Sequence, residues 1–281
     1  MGFFGGGYSR PGKGVTKEEA AKRNYFEIFG RKFSKLLQLN MLYVAVNILF
    51  FGGSILLAIP YDWNQVLDYF SQNQIFLLPI LPFIPLMFIG PFTAGLTYVI
   101  RNYAKQEHAF MASDFFEHSK KNWKQALIVS ILSTAVLYLF LETFIFYRNF
   151  AATHGISYAL VFGISLVIGI LLISMSFYVY PMMVTFDMKL RHILKNAWIF
   201  AIAKLPQNLF FIIIIGAVHL LLIYYAYPIW IVGMLIILIS WTSYTINYYV
   251  WHVMDKHMLS QLEKDEKDKE EPVFEDNLLK K

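Results

Sequence analysis

Few residues in this chain have the type and spacing that bond chemistry needs. Glu142 is the only Asp, Glu, Lys or Arg inside any of its long apolar runs. A carboxylate held in hydrocarbon is a candidate proton or ion site. Glu142 lies close to Arg148 and near one end of its run, so a snorkelling or locally paired acid is the simpler reading. The seven histidines (His108, His118, His154, His192, His219, His252 and His257) form no metal signature, and the chain has no cysteine. His219 alone sits deep in an apolar run, where an interhelical hydrogen bond is expected. Gly7, Gly12 and Lys13 have the outline of a phosphate-binding loop, but Gly14 stands where Ser or Thr should hold magnesium. No Ser-His-Asp set and no paired carboxylates occur within the apolar runs. The expected catalytic, cofactor-binding and metal residues are therefore none.

Two segments could line a path or meet a partner. Trp241, Tyr244, Tyr248 and Trp251 recur at helical spacing, with Ser240, Thr242, Ser243, Thr245 and Asn247 between them. Such a face suits a sugar path, and it equally suits helix packing and an aromatic belt, which is the preferred reading. The block Gly90, Pro91 and Thr93 lies in a run that also holds Pro79, Pro82, Pro85 and Gly95. Proline removes a helical hydrogen bond and clashes with the preceding turn. Broken backbone at membrane depth needs protein or a polar cavity to satisfy its carbonyls. This run is expected to be kinked or partly unwound and packed inside a bundle, either as a plain packing kink or as a pathway or contact element.

The elements that must position these residues follow from composition. The 281 residues are 57% hydrophobic and 15% charged, with a mean hydropathy of +0.50. Soluble domains average about 25% charged residues, so a soluble enzyme, a disordered chain, a coiled coil and a disulfide scaffold are excluded. A crossing helix needs about 20 apolar residues. Six stretches qualify: 36–59, 75–100, 126–147, 156–186, 209–227 and 228–250. The last two meet in a tight turn at Tyr227-Pro228. The fold class is thus all-α, a polytopic membrane protein with six crossings.

Of 24 Lys and Arg, 23 fall in segments 1–35, 101–125, 187–208 and 251–281, and one falls in the alternate segments. That asymmetry places both termini in the cytoplasm. The net charge of +5 is then a topology signal and a contact with anionic lipid; the cations form no stripe suited to nucleic acid. The first apolar run is read as an uncleaved crossing helix, without a signal peptide. Residues 1–23 are expected to be a flexible Gly- and Lys-rich leader, 24–258 the six-helix domain, and 259–281 a charged tail.

Phe26, Phe29 and Phe33, interleaved with Arg31, Lys32 and Lys35, predict an interfacial elbow helix. Two loops predict amphipathic cytoplasmic helices. One holds Ser113 and Asp114 as cap residues, then Phe115, Phe116, Asn122 and Trp123. The other holds Asn196 and Trp198. Their shared Lys-Asn with a following Trp is a short match that would fit a parallel repeat.

Several of these segments together resemble a known family. They are Lys35-Leu-Leu-Gln-Leu-Asn40, Ile89-Gly-Pro-Phe-Thr-Ala-Gly-Leu-Thr-Tyr98, the block Asp114 to Gln125, and Leu194-Lys-Asn-Ala197 with Leu205-Pro206. Over roughly residues 25–255 the chain is similar to the YesL-like family of Gram-positive bacteria, domain of unknown function 624. That family has no established catalytic residues. Its members are often encoded beside carbohydrate ABC importers, so the resemblance implies a non-enzymatic accessory of such an importer, in contact with permease subunits and membrane lipid. The alternative is a small-solute transporter or channel using the proline-broken second run. Ala197 with Leu205-Pro206 is faintly like the loop by which a permease meets its ATPase, without the Glu-Ala-Ala and Gly elements of that signature.

Overall fold

The computed structural model describes residues 24–62, 80–154 and 156–259. The expected leader 1–23, most of the loop 60–74, Pro79, and the tail beyond 259 lie outside the described residues. Among the described residues every regular element is helical.

Helix α1 (Tyr25–Ala58) starts at Asn24, whose side chain accepts the Glu27 amide. It runs 34 residues without interruption, about 50 Å at 1.5 Å per residue. The expected elbow is therefore not a separate helix. Tyr25 and Phe29 turn inward onto Tyr244, with ring centroids 5.2 and 5.6 Å away, so tertiary packing keeps the first turns on the axis of the crossing helix.

The proline-rich run breaks as its sequence requires. Two 3₁₀ turns, Leu81–Phe83 and Pro85–Phe88, precede α2 (Gly90–Ala104) and are bent 47° from it. Pro91 sits in the first turn of α2, where its missing N–H costs nothing. The Leu86 carbonyl accepts the Ser130 hydroxyl at 3.1 Å as well as the Ile89 amide at 3.4 Å. Eleven of the fifteen residues of α2 are buried, which makes it the axis of the bundle.

Next come the short α3 (Met111–Lys121), α4 (Trp123–His154) and α5 (Ile156–Thr185). The pairs Phe144–Phe162 and Tyr147–Tyr158 show α4 and α5 to be an antiparallel hairpin. The loop expected over 148–155 is helical to His154. α6 (Leu190–Ala203) leads into α7 (Leu205–Gly233), which continues through a π-helical turn (Met234–Leu238) into α8 (Ile239–Met254) and a last π turn, Asp255–Leu259. Ala226, at φ −149° and ψ 51°, breaks this run beside Pro228, where the turn was expected. His219 is bonded to both Trp230 and Thr242, so the chain folds back on itself there. Among the described residues, four helical runs are long and apolar enough to cross a membrane, or five counting the bent pair.

Two buried clusters share Tyr98. One joins α4, α5, α6 and α8; the other joins α1, α2, α3 and α8. Small residues let α2 approach its neighbours closely. A methyl on Gly95 would overlap the Ser119 hydroxyl and the Phe115 carbonyl; one on Gly90 would overlap the Ala126 carbonyl and Ser130. Gly163 faces open space. Gly95→Ala should therefore cost about 1–3 kcal/mol of stability through overpacking, while Gly163→Ala should not destabilise, as read by thermal unfolding of the purified protein in detergent.

Candidate functional site

Between the helices is an open-sided cavity of about 300 Å³ walled by α1, α2, α5, α7 and the π-helical turn with α8. The apolar part of its wall is Leu96, Phe177, Pro181, Met234, Ile239 and Ile246. The polar part is supplied by Tyr43, Thr93, Thr97, Ser176 and Tyr180, and by His219, Thr242, Ser243 and Asn247. No Asp, Glu, Lys or Arg lines it.

The polar wall is wired. The Tyr43 and Thr93 hydroxyls share a 2.9 Å hydrogen bond, and Thr93 also donates to the Ile89 carbonyl. Thr97 donates to the Thr93 carbonyl. The Trp230 indole N–H, which can only donate, lies 3.1 Å from His219 Nδ1. Nδ1 is therefore the acceptor, the ring proton sits on Nε2, and Nε2–H donates to the Thr242 hydroxyl at 3.0 Å. His219 thus makes the interhelical bond its position suggested. Asn247, 3% exposed, donates to the Ser243 carbonyl and hydroxyl, while its Oδ1 has no partner.

Three buried side chains hold the surrounding helices in register. Asn40 of α1 donates to the Met234 and Leu235 carbonyls, both at 2.9 Å, and accepts the Ser240 amide. It thereby bonds the backbone of the π-helical turn and the first turn of α8. Arg101 of α2 donates to the Val184 carbonyl and Thr185 hydroxyl at the end of α5, and to Asn102 Oδ1. Asn208 of α7 accepts the Tyr178 and Tyr249 hydroxyls and donates to the Phe200 and Ala201 carbonyls at the end of α6.

The residues singled out from sequence divide accordingly. Thr93 reaches the cavity, Gly90 sets the α2–α4 approach, and Pro91 starts α2. Tyr244 is buried and donates to the Tyr25 carbonyl; Tyr248 packs on Tyr25, and Trp241 lies beside His219. The aromatic face thus packs against α1 and α7, and the cavity is met instead by the hydroxyls and amide between the rings. Helix α3 begins at Met111 rather than after Ser113, because Asp114 reaches back to accept the Phe110 amide. Phe115 is buried under Phe92, Phe116 is exposed, and Asn122 caps α3 by donating to His118 O. Trp123 opens α4 whereas Trp198 lies within α6, so the two Lys-Asn segments hold different helical positions. Asn196 lies 3.9 Å from Met188 Sδ. Glu142 is hydrogen-bonded to Tyr138, one turn away on α4. Asn40, Arg101 and Asn208 escaped the search for chemistry because each looks ordinary at the edge of an apolar run. A search for amides beside crossing helices would have found both asparagines.

The comparisons with known proteins fall on the same central elements. Residues 69–143 match the profile described as protein of unknown function, DUF624. The family resemblance holds. The DUF624 match takes in the broken run, α2, α3 and the first part of α4. The chain is also 26% identical over 138 residues to uncharacterized protein YteU of Bacillus subtilis (strain 168), covering 48% of this chain and 60% of that protein. It therefore spans less than two thirds of this relative's length. No solved structure matches it.

Two outcomes follow. Asn208→Leu removes four hydrogen bonds at once. At about 0.6 kcal/mol for each hydrogen bond in a bilayer protein, it should lose about 2 kcal/mol in a denaturant or thermal titration. The second concerns His118 on α3, whose ring stacks on Tyr98 at 3.3 Å between centroids. Burial holds its pKa below the usual imidazole value; Lys121 and Arg101 act in the same sense, and Glu117 and Asp114 oppose them. The folded state therefore favours neutral imidazole. Its stabilisation is present above the unfolded value, about 6.5, and is lost as pH falls through the lower folded value. The melting temperature should drop on acidification, and His118→Gln should lessen that drop.

Proposed function

We propose that the chain is a non-enzymatic, six-crossing protein of the cytoplasmic membrane that works by docking onto another membrane assembly. Both ends lie in the cytoplasm in this reading. The fold-back at Ala226 supports six crossings, because it divides the 54-residue run Leu205–Met258 into two antiparallel limbs. The placement of 23 of 24 cations supports the orientation.

The observation that carries the docking reading is the construction of α3 and α6. Each is fastened to the bundle by a few buried residues, Phe115 and Ser119 in one, Ile193, Ala197 and Ala201 in the other. Each then turns aromatic and basic side chains outward: Phe110, Phe116 and Trp123 beside Lys120 and Lys121, and Trp198 beside Arg191 and Lys195. Aromatic residues with neighbouring cations suit a contact at the headgroup level or on a protein surface. A carbohydrate ABC importer is the partner that the DUF624 resemblance implies, and its permease subunits are the proposed point of contact. A second reading, a solute carrier, is favoured by the polar cavity. The neutral wiring of His219 supports neither proton coupling nor acid–base catalysis there.

Co-purification in mild detergent with mass spectrometry tests the docking reading. Permease subunits should accompany the native chain and be lost from a Phe116→Glu/Trp198→Glu variant that melts normally. Purification without any permease subunit, or retention by the variant, would contradict it.

A further inference from the structure

We infer that the open-sided cavity is a binding site for one small, neutral, polyhydroxylated solute of single-ring size. Its volume of about 300 Å³ lies at the small end of ligand cavities, about 300–1,000 Å³. One sugar ring or cyclic polyol fits that space. The wall carries no ionised side chain, so a charged solute would enter a low-dielectric space without a counter-ion.

The polar groups suit the hydroxyl donors of a polyol. The Thr93, Thr97 and Ser176 hydroxyls give their protons to backbone carbonyls and keep lone pairs with which to accept. One acceptor stands ready: Asn247 Oδ1 is buried and unpartnered on the cavity wall. A buried acceptor without a donor is costly, and a solute hydroxyl placed against Asn247 removes that cost. Phe177 and Tyr180, with Leu96 and Ile246, supply surface for the C–H faces of a ring.

Asn247 is fixed for this task. Both its amide protons are given to Ser243 on the preceding turn, at 2.8 and 3.3 Å, so Oδ1 is the atom presented to a ligand. The site does not depend on the docking reading: a solute bound here would serve a sensor of imported sugar as well as a carrier.

The test is equilibrium binding of radiolabelled glucose and myo-inositol to the full chain in detergent, with glucuronate and glucosamine as charged controls. Saturable binding of a neutral probe, weakened about tenfold by loss of one buried hydrogen bond in Asn247→Leu and absent for both charged probes, is the expected result. Tyr244→Phe, outside the cavity, should leave it unchanged. Should Asn247→Leu not fold, Thr97→Val reports on the same wall. No saturable binding of either neutral probe, equal binding of the charged probes, or binding indifferent to both cavity variants would overturn the inference. Loss of the permease contact with solute binding intact would sink the docking reading alone.

Discussion

Inside hydrocarbon, a backbone carbonyl without a donor has no water to turn to, and the rest of this molecule is arranged around that constraint. At four places among the described residues, a side chain bonds a backbone carbonyl beside a break or a helix end. Ser130 meets Leu86 in the proline-broken run. Asn40 meets Met234 and Leu235 at the π-helical turn. Arg101 meets Val184 at the end of α5, and Asn208 meets Phe200 and Ala201 at the end of α6. These bonds tie α4 to the broken run, α1 to the π-helical turn, α2 to α5, and α7 to α6.

Functional geometry grows from the same arrangement. Helix α2 is a short, buried axis bent 47° from the turns before it, and the cavity lies between it and α1, α5, α7 and α8. The residual space takes its polar lining from the hydroxyl-bearing faces of α2 and α8. Arg101 is the single buried cation among the described residues, 8% exposed, and it is spent on carbonyl, hydroxyl and amide oxygens. The cavity itself is lined by no Asp, Glu, Lys or Arg.

Much of the architecture was legible because lipid imposes harsh rules on sequence. Long uncharged runs marked the long apolar helices, prolines marked the broken run, and Tyr227-Pro228 marked the fold-back. The elbow was misread because the spacing of Phe26, Phe29 and Phe33 is equally that of an interfacial helix; only the distant Tyr244 decides that Phe29 packs inward. The π-helical turn left no mark, since Met234-Leu-Ile-Ile-Leu238 is as apolar as any ordinary helix. Arg101 was counted with the loop cations because charge alone does not reveal burial. In the sixth apolar run the aromatic residues drew attention, yet the smaller Thr242, Ser243 and Asn247 between them face the cavity. Helix rotation is a tertiary property, and periodicity within one element does not fix it.

Hydrogen–deuterium exchange on the full chain in lipid nanodiscs, comparing Asn40→Leu with the unmodified protein, is the most direct measurement. The substitution keeps the size of the side chain while removing both donors to the π-helical turn and the acceptor of the Ser240 amide. Exchange should accelerate across 234–243 and stay unchanged in α4. Unaltered protection across 234–243 in a folded Asn40→Leu protein would contradict the dependence of the bundle on side chains that satisfy its broken backbone.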